Sequence, residues 1–130
     1  MGFIPQVYDR GEPDAYEYHE VTANETVVIG EALVFSSGKL TKCSGANKPE
    51  YIAMQPITSA PAGNRIAVIR VSDDTLYETE LSAAFSAIAP GVKVTLDTTG
   101  TKLTATTTNG VAEIVSFDGT AAGSKVRCRF

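Results

Sequence analysis

Ala62-Gly63-Asn64-Arg65-Ile66-Ala67-Val68-Ile69-Arg70-Val71 opens with a small-residue turn and runs into β-branched residues. The C-terminal stretch Ala122-Gly123-Ser124-Lys125-Val126-Arg127-Cys128-Arg129-Phe130 repeats that pattern at an offset of sixty: Ala-Gly, a small polar residue, a base, then Ile or Val. The match continues upstream, with Tyr51-Ile52-Ala53-Met54 over Val111-Ala112-Glu113-Ile114 and Ala60-Pro61-Ala62-Gly63 over Thr120-Ala121-Ala122-Gly123. Gly30 to Leu40 also matches Gly91 to Leu103, with two extra residues in the second copy. Self-similarity at a fixed spacing means one supersecondary unit used twice. The chain therefore divides into an N-terminal arm, 1–20, and a β-domain, 21–130. The domain holds repeat one at about 30–71, a connector at 72–90 and repeat two at about 91–130.

Within this frame the strands follow from alternation and turn chemistry. Residues 32–36 and 39–43 flank Ser36-Ser37-Gly38, a hairpin with Gly at a positive-φ position. Thr26–Ile29 and Tyr51–Gln55 read as short strands, and Arg65–Val71 as a central strand covered on both faces. Val92, Val94 and Leu96 alternate inward, and Asn109-Gly110 predicts a type I′ turn. In the connector, Leu81, Ala84, Phe85 and Ile88 share one helical face, which predicts a short helix stopped at Pro90-Gly91. About nine short strands at turn spacing predict an all-β fold, a small barrel or sandwich built from two similar repeats.

The 130 residues suit one domain. The formal net charge is −4, and residues 1–20 carry all of it: Asp9, Glu12, Asp14, Glu17 and Glu20 against Arg10 alone. The remainder is neutral, which argues against a nucleic-acid-binding surface, because phosphate binding needs clustered Lys and Arg. No apolar run reaches the length of a membrane span, and no signal peptide is written at Met1–Pro5. In the arm, Phe3, Ile4, Val7, Tyr8, Tyr16 and Tyr18 lie between Pro5, Gly11, Pro13 and acids. That is either a loose terminus or a segment ordered by a partner, and tyrosines favour a contact.

Catalytic chemistry is hard to assemble from this sequence. His19 is the sole histidine and lies between Glu17 and Glu20. Asp73-Asp74 lacks the regular oxygen spacing of a calcium loop, and Cys43 and Cys128 lack metal spacing. Under the repeat Cys128 falls at the place of Val68, which predicts a small buried residue. No metal, cofactor or enzymatic activity is expected. The strand-end bases Arg65, Arg70, Lys125, Arg127 and Arg129 either solvate strand ends or dock an acidic partner; Arg65, Arg70, Arg127 and Arg129 are the candidates for docking.

Gly30, Val34, Gly38, Lys39, Leu40, Ile52, Ala53, Ala62, Gly63, Ile66 and Val68 carry a resemblance to a known family. Their rhythm resembles the repeating unit of tailed-bacteriophage head decoration, or capsid cement, proteins, and the second copy follows it more loosely. The 72–90 stretch and the tyrosine-bearing arm depart from it. The resemblance implies a small β-rich virion protein without enzymatic activity. It implies a homo-oligomer, a trimer, made in the host cytoplasm and bound to the capsid exterior, where it bridges subunits of the major capsid protein. The arm would then be the contact. The alternative is a ligand- or carbohydrate-binding β-module of a phage fibre or tail, whose sites favour exposed aromatics.

Overall fold

The computed structural model describes residues 2–8 and 15–130, without the side chains of Val7 and Tyr8. Its strands are β1 (Ile4–Tyr8), β2 (Glu17–Glu20), β3 (Ala32–Ser36), β4 (Lys39–Lys42), β5 (Tyr51–Ala53), β6 (Arg65–Arg70), β7 (Thr75–Glu80), β8 (Lys93–Val94), β9 (Ala112–Phe117) and β10 (Lys125–Arg129). They form two five-stranded sheets, ordered β2-β6-β5-β3-β4 and β1-β7-β10-β9-β8. Every strand pair is antiparallel. The architecture is all-β and sandwich-like, and neither sheet closes into a barrel.

Each sheet is one copy of the duplication, with β1 added to the second. The edge strand β2 pairs with β6 as Glu20↔Arg65 and Glu17↔Val68; β7 pairs with β10 as Glu80↔Lys125 and Tyr77↔Cys128, sixty residues on. The backbone bonds repeat as well. Asn64 N donates to Pro61 O at 3.1 Å and Ser124 N to Ala121 O at 3.1 Å; Val21 N donates to Asn64 O and Leu81 N to Ser124 O. Gly63 and Gly123 hold φ of 83° and 86° at the third place of these turns, the type II requirement. A parallel bridge, Val21↔Leu40 in one copy and Leu81↔Leu103 in the other, ties the end of the edge strand across to the far side.

The hydrogen bonds carry the repeat upstream of Gly30 and Gly91. Strand β7 lies in the stretch read as a connector, and it is the counterpart of β2. The helix expected at Leu81–Ile88 is not formed, and no described residue is helical. Residues 81–91 instead occupy the place of 21–30, one residue longer: Phe85 N donates to Thr120 O where Asn24 N donates to Ala60 O. The apolar residues at helical spacing are core residues of an irregular loop. Leu81, Phe85 and Ile88 are buried, while Ala84 is exposed. The alignment of 51–54 with 111–114 also moves by one residue. Ala53 N donates to Glu31 O and Ile114 N to Val92 O, so Ile114 matches Ala53. The β10–β9 register is irregular beyond that point, between Arg127 and Cys128, where β9 passes from Ile114 to Ser116.

Alternation then sorts the core. In the first unit Leu33, Tyr51, Ala53, Ile66 and Val68 share one face of the sheet, with Val21, Leu40 and the loop residues Val27 and Ala60 buried against them. The opposite face of the same sheet presents Ala32, Ile52 and Ile69, which join the core of the second unit: Tyr77, Leu81, Val94, Leu96, Leu103, Ile114, Val126 and Cys128. The expectation for 65–71 is met, since Ile66, Ala67, Val68 and Ile69 are all buried. The Ser36-Ser37-Gly38-Lys39 hairpin is present, with Ser37 and Gly38 at φ 51° and 78°. The turn expected at Asn109-Gly110 sits one residue earlier. Gly110 N donates to Thr107 O, so Thr108 and Asn109 are central, with Asn109 at φ 55°. Gly110 serves a different need: a Cβ there would collide with the Lys93 backbone.

Candidate functional site

The N-terminal segment is part of the body. β1 forms the outer edge of the second sheet, paired with β7 as Ile4↔Glu78 and Pro5↔Tyr77. Gly2 lies against Gly30 so closely that a Cβ on Gly30 would fall 2.6 Å from Gly2 Cα, and Phe3 N donates to Gly30 O at 2.8 Å. Phe3 is fully buried, edge-on to Phe130 at 5.2 Å between centroids, and Phe130 lies 5.5 Å from Tyr77. Among the expected contact residues Phe3 is therefore core: its side chain is a plug, unavailable to a partner. The segment ties the first unit, at Gly30, to the edge of the second unit's sheet.

Around this junction apolar side chains do reach solvent. Ile4 is 41% exposed, Val28 47% and Ile29 55%, and the backbone of 2–3 runs against 29–30. Val28 and Ile29 were expected in a strand. The duplication held the signal against it: Val27 matches buried Ile88, whereas Val28 and Ile29 match Ala89 and Pro90. Only the single bridge Val27↔Ile57 forms in that stretch. Tyr16 and Tyr18, 56% and 57% exposed, stand two residues apart at β2 and so on one face of the edge strand. Val7 and Tyr8 lie on β1, and their side chains are outside the described residues, as are Asp9, Arg10, Glu12 and Asp14.

The other face of β2 turns toward the first unit's core. Glu17 accepts from His19 Nε2 at 3.0 Å, Tyr51 Oη at 3.2 Å, and Arg70 Nε and Nη2 at 3.1 and 3.2 Å. The His19 bond, with the Arg70 guanidinium behind it, holds the Glu17 carboxyl below the usual carboxylate range. Burial, reinforced by Glu17, pushes the Tyr51 hydroxyl up. His19 packs on Phe35 and Tyr51, and Arg70 lies over the Tyr51 ring at 5.1 Å. This closed set of partners explains the one histidine without assigning it proton transfer.

The bases do not share a pattern. Arg65 matches Lys125, but Arg70 matches Phe130, Arg127 matches Ala67, and Arg129 matches Ile69. Arg65 is exposed at the start of β6. Arg127 donates to both Asp118 oxygens at 2.8 and 3.2 Å and to Glu78 at 3.2 Å, and the Asp118 carboxyl is lowered chiefly by that bond. Arg127 is thus already answered by carboxylates of its own chain, which weakens the docking reading for it, whereas Arg70 spends Nε and Nη2 on Glu17 and keeps Nη1. Arg129 lines a hollow of about 650 Å³ with Lys48, Lys93, Asp73, Asp74, Glu113 and Phe130; Lys48, Asp73 and Phe130 also line an adjoining hollow of about 530 Å³. Bases and acids balance there, which favours no one ligand charge.

No protein-family model matches this chain. No curated protein is significantly similar to it. The residues themselves carry the functional argument. Cys43 and Cys128 are free and buried, as expected for Cys128; burial pushes the Cys43 thiol up to about 11 and Cys128 further still, away from nucleophilic use. Among the described residues no group of three or more His, Cys, Asp or Glu is placed to hold a metal ion, and no helix is long and apolar enough to cross a membrane.

Proposed function

We propose that the protein is a structural component of a virus particle: a decoration protein that binds the capsid exterior as a homo-oligomer, a trimer, and bridges subunits of the major capsid protein. The observation that carries this reading is the exposed apolar surface of Ile4, Val28 and Ile29 at the junction of the two units. Large aliphatic side chains left in water beside this junction are where a contact surface is sought first. A rigid double β-body suits a bridging role, because many copies on a lattice stabilise it by avidity even when one contact is weak.

The contact in this proposal moves from the whole arm to that junction. Deleting residues 2–20 would remove β1, β2 and the Phe3 plug, so it would test folding instead. The informative variant is Ile4→Asp with Ile29→Asp, two exposed positions. Copies bound to expanded shells of the parent phage are measured by sedimentation, with circular dichroism melts as a control. Binding at least ten-fold weaker with an unchanged melt supports the contact. Unchanged binding places the contact elsewhere, and an unaltered chain that never binds shells removes the virion reading.

A further inference from the structure

The duplication gives β2 and β7 the same register on their inner neighbours, so their outer edges are counterparts. The outer edge of β7 is covered by β1, an extended segment antiparallel to it along Thr75–Glu78. Among the described residues no strand pairs with the outer edge of β2 at 17–20; at and past its end Lys39 Nζ reaches Glu20 at 3.3 Å, Val21 bridges Leu40 and Thr22 N donates to Leu40 O. The counterpart of the covered stretch is 15–18, which carries the exposed Tyr16 and Tyr18.

We infer that the outer edge of β2 at Tyr16–Tyr18 takes an extended segment of a different polypeptide, antiparallel to β2, as β7 takes β1. Strand addition of this kind draws affinity from main-chain bonds and specificity from alternate side chains. The available main-chain groups follow from β1. Pro5 has no N–H and sits opposite Tyr77, so the paired bonds fall at Ile4↔Glu78. By counterpart, Tyr18 N–H and C=O point outward from β2.

Side-chain chemistry identifies the kind of occupant. On β7 the incoming Phe3 meets Phe130, which in turn lies on Tyr77. On β2 those two places hold Glu17 and Arg70, an ion pair whose arginine side chain is 64% exposed and uses Nε and Nη2 on Glu17. A phenyl ring there would strip water from charges. An amide or carboxylate side chain would instead accept from the remaining Arg70 donors. The occupant is thus a segment with Asn, Gln or Asp where β1 has Phe, and the N-terminal segment of a second copy does not fit. None of this depends on the virion reading.

The test uses the full chain and fluorescein-labelled heptapeptides of sequence Gly-Xaa-Ile-Pro-Gln-Val-Tyr, with Xaa as Phe, Asn, Asp or Lys, read by fluorescence anisotropy. The Asn and Asp peptides should bind at least five-fold more tightly than the Phe and Lys peptides. Tyr18→Pro, which removes the outward N–H at an edge where proline is tolerated, should weaken them at least ten-fold. Hydrogen exchange on the unaltered chain gives a readout that needs no variant: the Tyr18 amide should gain at least ten-fold protection with the Asn peptide. No binding of any peptide at millimolar concentration, a Phe peptide as good as the Asn peptide, or protection on β4 or β8 instead of β2 would each overturn the inference.

Discussion

Glu31 is the residue least at home in this fold. It is 3% exposed, its Oε1 accepts only a long 3.4 Å bond from Val28 N, and its Oε2 has no hydrogen-bond partner among the described residues. Burial raises its pKa from the ordinary 4.5 to about 7, with the Val28 bond and Lys42 opposing. The folded state therefore holds a proton between pH 4.5 and 7 that the unfolded chain releases. Stability falls as pH rises through that window, and the loss is complete above about 7. Glu31→Gln keeps an acceptor for Val28 and removes the charge. It should match the natural protein at pH 4.5 and exceed it at pH 8 by about 1–3 kcal/mol. Urea denaturation at both pH values checks this, and parallel pH profiles for the two proteins would clear Glu31 of the effect. Phe3 belongs to the same scale. Phe3→Ala empties the place beside Phe130 and should cost about 3–5 kcal/mol in the same measurement.

At the scale of the element, the two Ala-Gly turns provide the cleanest comparison. Gly63 and Gly123 have positive φ with nothing within 4 Å of an added Cβ, so substitution strains the backbone and nothing else. Gly63→Ala and Gly123→Ala should each destabilise by about 1 kcal/mol, equally within error, as read by thermal melts. A large difference would mean the turns are not structural equivalents. Those turns were also where the sequence was most legible, because a glycine at a fixed offset states a backbone angle directly. The Leu81–Ile88 stretch was misleading for a physical reason: buried residues of an irregular loop can fall at helical spacing by position alone. The Asn-Gly pair misled because Gly110 answers a close approach by Lys93, a long-range contact that local turn rules do not contain. The one-residue shift in β9 lies beyond sequence comparison too, since long-range pairing sets it: Val94↔Ala112 answers Leu33↔Tyr51, and Cys128↔Ile114 answers Val68↔Ala53. Of the candidate site, the exposed tyrosines were legible. Phe3 was not, because an aromatic residue among prolines and acids reads alike whether it plugs its own core or a partner's.

Across the whole molecule the two units are alike in backbone and unlike in how their outer faces are used. The first unit's outer face carries Ala32, Ile52 and Ile69 into the shared core. The hydrogen-bond pattern places Lys93, Glu113 and Arg129 at the matching positions of the second unit, where they line an open hollow. The packing is therefore head-to-tail, and a head-to-tail contact continues unless something ends it. Charged residues on the last outer face are what end it, as the polar caps of repeat arrays do. Restoring the first unit's residues in the second, with Lys93→Ala, Glu113→Ile and Arg129→Ile together, should create an exposed apolar face. The variant should self-associate with rising concentration under conditions where the natural chain keeps a constant mass, as sedimentation equilibrium would measure. Single substitutions should do so weakly, because one apolar residue among charges is an ordinary surface. A triple variant whose mass stays constant up to millimolar concentration would show that shape, and not charge, stops the stacking at two units.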